Sequence, residues 1–280
     1  MNLFEKIVRF LQFEMERPHS YGWFHLLWLG ASLALILFLC LRREKDHERS
    51  LRTLLLIYGL GALLLEAVKQ IIWSYSFDPA TGTGVWDYQW YAFPFQLCTT
   101  PIFVSLIAAF LKKGPARDWL LSFLAFVSIL GSLATALYPE SCFVSTVMVD
   151  LHTMYLHLGS LVVSVYLLAT GEIRPRFRNL LRGFAVFLIF AALAELLNLA
   201  VYRSGVLQGE SFNMFYISPY FTSSLPVFDA IQGKVPFPVF LLLYLIAIFL
   251  GALVIYLIAR LIRRITAGHS EKQKSFTSVA

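Results

Sequence analysis

The chain has 280 residues, of which 58% are apolar, 16% aromatic and only 14% charged, with a formal net charge of +6. This balance excludes an ordinary soluble domain, because apolar runs recur at the length of about 20 residues that crosses hydrocarbon as a helix. The basic excess does not point to nucleic acid, since Lys and Arg collect in alternate connections. Three cysteines without paired spacing, and no Cys/His cluster, give no disulfide framework and no metal site.

In chain order, Asn2 to Arg17 is amphipathic, with Phe4, Ile7, Val8, Leu11 and Met15 set among Glu5, Lys6, Glu14 and Glu16. We expect a helix lying in the membrane interface. Seven spans follow, at about 22–41, 51–73, 95–111, 119–137, 149–170, 179–202 and 236–262. The first is too long for a signal sequence and lacks a small-residue cleavage site. The run Thr81-Gly82-Thr83-Gly84 reads as a turn, because nothing resembling a phosphate loop surrounds it. The expected architecture is an all-α polytopic bundle of seven transmembrane helices in one membrane domain. An interfacial helix occupies 1–20, the bundle 22–262, and a flexible cytoplasmic tail 266–280.

Basic residues set the expected orientation. Arg42, Arg43, Lys45, Arg49 and Arg52 separate spans 1 and 2, Lys112, Lys113 and Arg117 separate 3 and 4, and Arg174, Arg176, Arg178 and Arg182 separate 5 and 6. Arg260, Arg263, Arg264, Lys272 and Lys274 follow span 7, whereas the other connections hold only Arg203 and Lys234. The N-terminus is therefore expected outside and the C-terminus in the cytoplasm, as in a multi-pass protein of the cell membrane.

Span 3 opens at Phe93-Pro94-Phe95-Gln96-Leu97-Cys98-Thr99-Thr100-Pro101. Pro94 suits the first position of a helix, which puts Cys98 in the second turn, about 6 Å from the end. The positive end of such a helix favours a thiolate, and Pro101 leaves the Leu97 carbonyl free beside the sulfur. On spacing alone a space-filling cysteine is the alternative, and a disulfide to Cys142 is another. Ionisable and amide groups within the spans concentrate in one half of the membrane: His25, Glu66, Gln96, Cys98, His152, His157, Glu195 and Asn198. Glu66 and Lys69 can neutralise each other on one helix, and Glu195 and Asn198 can bond between helices. His25 and His152 lie close enough to the interface to be solvated. His157 shares a polar stripe with Thr153, Ser160 and Ser164.

Pro94-Phe95-Gln96-Leu97-Cys98 resembles the Leu-Pro-Leu-His/Gln-Leu-Cys signature of the bacterial YwaF-like integral membrane proteins, whose animal relatives are transmembrane protein 164, an acyltransferase of ether phospholipids. Trp23-Phe24-His25, Leu65-Glu66, Leu137-Tyr138-Pro139, Leu156-His157-Leu158-Gly159, Leu197-Asn198 and Asn213-Met214-Phe215-Tyr216 fall in the matching order. The chain departs in having Thr99 where the family often has Asp, and Leu156-His157-Leu158-Gly159 where it often has Ser-His-Gly-Gly.

The resemblance implies seven helices and a cysteine that accepts an acyl chain with help from a histidine, carried over to Cys98 and His157. The expected reaction is acyl transfer on a phospholipid or lysophospholipid through a Cys98 thioester, or its hydrolysis, with no cofactor. A histidine suits both directions of proton transfer because its ordinary pKa is about 6.5. Gln96, Asn198 and Asn213 are candidate oxyanion donors, and Glu66 or Glu195 a candidate partner for the imidazole. His25, His152 and Tyr216 complete the candidate supporting or substrate-binding set. The rival expectation is a transporter, channel or non-catalytic membrane protein using the same polar cluster for ligand binding. A retinal protein is disfavoured, since span 7 has no lysine.

Overall fold

The computed structural model describes residues 2–42, 46–78 and 80–277, with side chains described as far as Thr266. Arg43, Lys45, the side chains of Lys272 and Lys274, and residues 278–280 of the expected tail lie outside the described residues. The helices are α1 (Leu3–Leu11), α2 (Trp23–Leu41), α3 (His47–Ser74), α4 (Thr100–Phe110), α5 (Pro115–Phe123), α6 (Ile129–Leu137), α7 (Val147–Ala169), α8 (Phe177–Ser204), α9 (Phe228–Ile231) and α10 (Phe237–Thr277). Leu124–Ser128 winds as a π-helix between α5 and α6, so the three pieces make one continuous rod. A two-stranded antiparallel hairpin, β1 (Tyr75–Phe77) with β2 (Gly84–Trp86), is added to the helices. Its turn contains the Thr81-Gly82-Thr83-Gly84 run, with Gly82 at φ +67 and the Asp78 carboxylate accepting from the Ala80 N–H and the Thr81 hydroxyl.

Among the described residues, six helices are long and apolar enough to cross a membrane: Trp23–Leu41, His47–Ser74, Pro115–Leu137, Val147–Ala169, Phe177–Ser204 and Phe237–Thr266. Their outward faces carry Leu33, Leu64, Ile189 and Leu250, all exposed, as hydrocarbon contact requires. The chain is thus an all-α polytopic membrane protein. The expected third span is built differently. Only Thr100–Phe110 is helical, 11 residues and roughly 16 Å, about half the thickness of the hydrocarbon core.

The helix expected to begin at Pro94 begins instead at Thr100. Pro94 holds Phe93 in an extended conformation (φ −49, ψ 134), and the chain reaches α4 through short turns. The Leu97 carbonyl is not free either, because the Thr100 hydroxyl donates to it at 2.8 Å. Even so, the segment runs alongside α3. Ala92 accepts from Lys69 and Gln70 at one end, and the Leu111 carbonyl accepts from Arg52 at the other. Those contacts are separated by about 25 Å of α3. Irregular backbone at this depth survives because protein, not lipid, surrounds it.

The central rod of α5, the π-helix and α6 forms the buried middle of the molecule, with all five π-helical residues buried. Ser128 and Ser160 Oγ meet at 2.8 Å, and the Ser164 hydroxyl donates to the Leu124 carbonyl at 2.7 Å, so α7 runs antiparallel to the rod. Gly183 of α8 lies so close to α5 that a Cβ there would stand 2.5 Å from the Ser122 carbonyl oxygen. At the N-terminal ends of α3 and α5, buried Arg117 holds Glu48 through two bonds of 2.7 and 2.9 Å and donates to the Ala108 carbonyl.

The amphipathic segment is helical only to Leu11. A capping box of Asn2 and Glu5 starts it, and Leu3, Phe4, Ile7 and Phe10 stay exposed while Val8 is buried. Gln12 then donates to the Ile72 and Tyr75 carbonyls at the end of α3. From there the chain forms a strap across the end of the bundle, bridging Glu14 to Thr146 and placing Ser20 on Glu140.

Candidate functional site

The end of the bundle that carries the hairpin gathers the ends of α2, α3, α6, α7 and α8 and the start of α4. Cys98 stands in the last turn before α4. Its thiol is free and half-buried, within electrostatic reach of Lys69, Glu66 and Cys142, and of Tyr58 and Tyr216. Cys142 is likewise a free thiol, so the two sulfurs are not joined.

Beside this turn lies a buried charged network. Glu66 Oε1 is 2.7 Å from Lys69 Nζ, and Glu66 Oε2 is 2.8 Å from His152 Nε2. Gln70 donates to Glu66 Oε1 at 2.8 Å and to the Ala92 carbonyl at 2.6 Å, and Lys69 also stands over the Trp73 ring. The network therefore fixes the start of the segment that leads to Cys98. His152 is 4% exposed and His25 fully buried, so the expectation that solvent satisfies them is corrected. The strap and the 143–150 connection cover that end, and His25 Nδ1 accepts from the Tyr21 N–H at 3.0 Å.

The three candidate amide donors are engaged with backbone. Gln96 Nε2 donates to the Asn213 carbonyl at 3.0 Å, while its Oε1 accepts the Phe215 N–H at 2.8 Å. Asn198 holds both backbone groups of Met214, at 2.7 and 3.1 Å, and Glu195 lies 3.5 Å from the Asn198 amide. Asn213 donates to the Phe221 and Thr222 carbonyls and accepts the Ser218 N–H. Together they hold Phe215 and Tyr216 at φ +57 and +59, a left-handed pair that non-glycine residues adopt only when surrounding contacts compel it. Tyr216 lies outside the spanning helices; burial pushes its phenol up to about 12, which keeps it a neutral donor.

His157, half-buried on α7, turns its ring toward the Gly131 carbonyl of α6, with His152 in electrostatic reach. Cys98 stands in the turn before α4 and His157 well inside α7 facing α6, and no hydrogen bond joins them among the described residues. The sequence reading missed four residues that organise this end. Gln70 is signalled by its spacing of four from Glu66. Asp150, fully buried and accepting the Val144 N–H at 3.0 Å, is signalled by an acid in the first turn of α7. Glu210, which accepts the Trp90 N–H at 2.8 Å, and Thr99, which bonds to Gln96, have no sequence signal. Among the described residues no group of His, Cys, Asp and Glu is arranged to hold a metal ion.

A model of the TMEM164 family matches residues 19–265. The chain belongs to the TMEM164 family. The family assignment spans every helix that carries a candidate group, from His25 in α2 to α10, and agrees with the resemblance drawn from the short motifs. No curated relative and no solved structure matches the chain. It is a multi-pass membrane protein of this family.

Proposed function

We propose that the protein is a lipid acyltransferase of the cell membrane, carrying an acyl chain on Cys98 between phospholipid and lysophospholipid. The observation that carries this reading is the free, half-buried thiol in the turn before α4, held between a buried charged network and a loop clamped by three amides. Burial favours the neutral thiol at rest, so the thiolate forms only as a base takes its proton, beside the positive end of α4. His157 takes the thiol proton, Cys98 attacks the lipid ester, and His157 returns the proton to the departing oxygen. Because the ring and the sulfur have different partners in the resting protein, lipid binding brings them together. Apo geometry of this kind is common at acid–base sites.

A second base deserves its own variant, because His152 is already oriented by Glu66 at 2.8 Å. In this reading the sorted basic residues put the N-terminus outside and the C-terminus in the cytoplasm, with Ala92–Leu111 supplying the seventh crossing. The hairpin end then faces the outer leaflet, where lipid ester groups lie.

The test is acyl transfer by the purified protein in vesicles containing a labelled phospholipid and an unlabelled lysophospholipid. The expected result is transfer by the wild type, with a hydroxylamine-labile acyl group on Cys98, and none by Cys98→Ala. Normal transfer by Cys98→Ala defeats the assignment. His157→Ala losing transfer while His152→Ala keeps it identifies the base as His157, and the opposite pattern identifies His152.

A further inference from the structure

The end of the bundle opposite the hairpin carries charges that acyl transfer does not use. α7 stops there at Ala169, and the Ile173 N–H donates back to the Leu167 carbonyl at 3.0 Å, which buries Ile173 and folds the connection tightly. Arg174 and Arg176 follow on the exposed side of this connection, and Arg178 is the second residue of α8. α10 packs against the same place. The Arg263 guanidinium lies so close to Gly171 that a Cβ there would stand 3.4 Å from Nη1. The rings of Phe177 and Tyr256 meet edge to face at 6.2 Å, and Arg260 donates to the Tyr256 hydroxyl at 2.8 Å. Arg260, Arg263 and Arg264 are three and four residues apart, so they share the face of α10 that meets the start of α8.

Six exposed arginines therefore gather at one place. Glu172 is the one acid in the connection, and among the described residues no carboxylate forms an ion pair with any of the six. Like charges held this close repel unless an anion comes between them. Topology alone asks for positive charge here, not for arginine at every position. The α4–α5 connection at the same end uses Lys112 and Lys113, yet this cluster contains no lysine. Guanidinium is the cation whose planar fork matches the oxygens of a phosphate. The N–H groups of Phe177 and Arg178 have no acceptor among the described residues, so the start of α8 adds two donors to the same patch.

We infer that this patch binds the headgroup of an anionic phospholipid, with guanidiniums from both α10 and the α7–α8 connection on its phosphate. The surface below the arginines distinguishes a lipid from a free phosphate. Leu257 and Leu261 continue the stripe of Arg264 down α10, and Phe177 and Leu181 lie beside Arg178 on α8. All four are exposed, so apolar surface for acyl chains begins where the guanidiniums end. A cluster of one sign favours an anionic headgroup over a zwitterionic one, whose ammonium it repels. The site lies at the far end of the bundle from Cys98 and stands whether or not the protein transfers acyl groups.

The test titrates the full-length protein, delipidated in dodecyl maltoside, with phosphatidylglycerol, with phosphatidylcholine of the same chains, and with sodium phosphate. Native mass spectrometry counts bound lipid, and the thermal unfolding midpoint follows binding in parallel. Phosphatidylglycerol should bind at least about tenfold more tightly than phosphatidylcholine and resist displacement by sodium phosphate at the same concentration. Arg260→Gln/Arg263→Gln and Arg174→Gln/Arg176→Gln should each weaken it about tenfold or more, since each pair removes charge-assisted bonds. Arg49→Gln/Lys112→Gln removes two exposed charges elsewhere at the same end and should change binding by less than about threefold. Equal weakening in all three pairs means diffuse attraction and overturns the site, as does phosphatidylcholine binding as tightly as phosphatidylglycerol. Ready displacement by sodium phosphate means a site for a free anion and overturns the lipid assignment. Unchanged binding in either folded arginine pair overturns it too. Should the α10 pair fail to fold, the exposed connection pair decides the outcome alone.

Discussion

Nε2 of His152 stands 2.8 Å from Oε2 of Glu66, joining α7 to α3 through two side chains almost sealed from the surface. The other carboxylate oxygen receives Lys69 and Gln70, and both of these reach the Ala92 carbonyl. One carboxylate therefore ties two spanning helices to the segment that ends at Cys98. A charge so deep persists only where it is matched, which makes Glu66 the keystone rather than an isolated candidate ligand.

Glu66→Gln leaves the Lys69 ammonium buried without a counter-charge. The expected cost is about 3–5 kcal/mol, the range for removing one partner of a buried pair. Removing both charges in Glu66→Gln/Lys69→Met should recover most of that loss. Thermal unfolding in one detergent, read as a double-mutant cycle, measures the coupling; additive losses would show that the two charges do not depend on each other.

Asn198 gives the second prediction. It satisfies both backbone groups of Met214, a residue with no exposed surface. Asn198→Leu keeps the bulk and deletes both bonds, leaving the Met214 N–H unsatisfied while its carbonyl keeps the Ile217 N–H, which should cost about 1–3 kcal/mol. The effect should be local, since this amide holds the left-handed turn at Phe215 and Tyr216. Hydrogen exchange should quicken over 213–218 and stay unchanged in the π-helical segment. Unchanged exchange in that loop would deny Asn198 its clamping role.

The sequence made the membrane class and the family legible, because hydrophobic length is a property of whole segments and the short motifs fall in order along the chain. It misplaced the start of α4 because Pro94 suits either the first turn of a helix or an extended approach to one. Only the Ala92 and Gln96 contacts, with partners far along the chain, decide between them. Gln96, Asn198 and Asn213 were legible as important amides, but not as clamps on 213–222, since their partners are carbonyls and amides that any residue supplies. His25 and His152 looked solvated because helix position was taken as depth, whereas the strap from Gln12 to Tyr21 covers that end.

Two glycines make the third prediction, with opposite signs. At Gly183 a Cβ would meet α5 backbone at 2.5 to 3.0 Å, whereas at Gly131 it would meet nothing within 4 Å. Gly183→Ala must separate α8 from α5 and should cost about 1–3 kcal/mol or more. Gly131→Ala only restrains the unfolded helix and should gain about 0.5–1 kcal/mol. Unfolding midpoints moving in opposite directions would bear this out; a neutral Gly183→Ala would contradict the close approach of the two helices.

The last prediction concerns the strap and its pH dependence. Ser20 donates its N–H and its hydroxyl to the Glu140 carboxylate at 2.8 and 3.0 Å, and Arg17 donates to the Glu140 carbonyl at 2.8 Å. The two Ser20 bonds, backbone first, hold the Glu140 carboxyl below the usual carboxylate range. A depressed value in the folded state means the contribution is complete above the ordinary glutamate range and is lost as pH falls through the folded value. Acidification should therefore release the strap while the bundle stays folded, because Glu140 lies outside the spanning helices. Pulsed deuterium labelling of detergent-held protein, from neutral pH down through the carboxylate range, reads both events: faster uptake over 17–21 reports release of the strap, and unchanged protection over 124–128 reports a folded bundle. Glu140→Gln should show weaker strap protection at neutral pH and little further change on acidification. Wild-type labelling that stays flat through the carboxylate range would mean that Glu140 does not hold the strap.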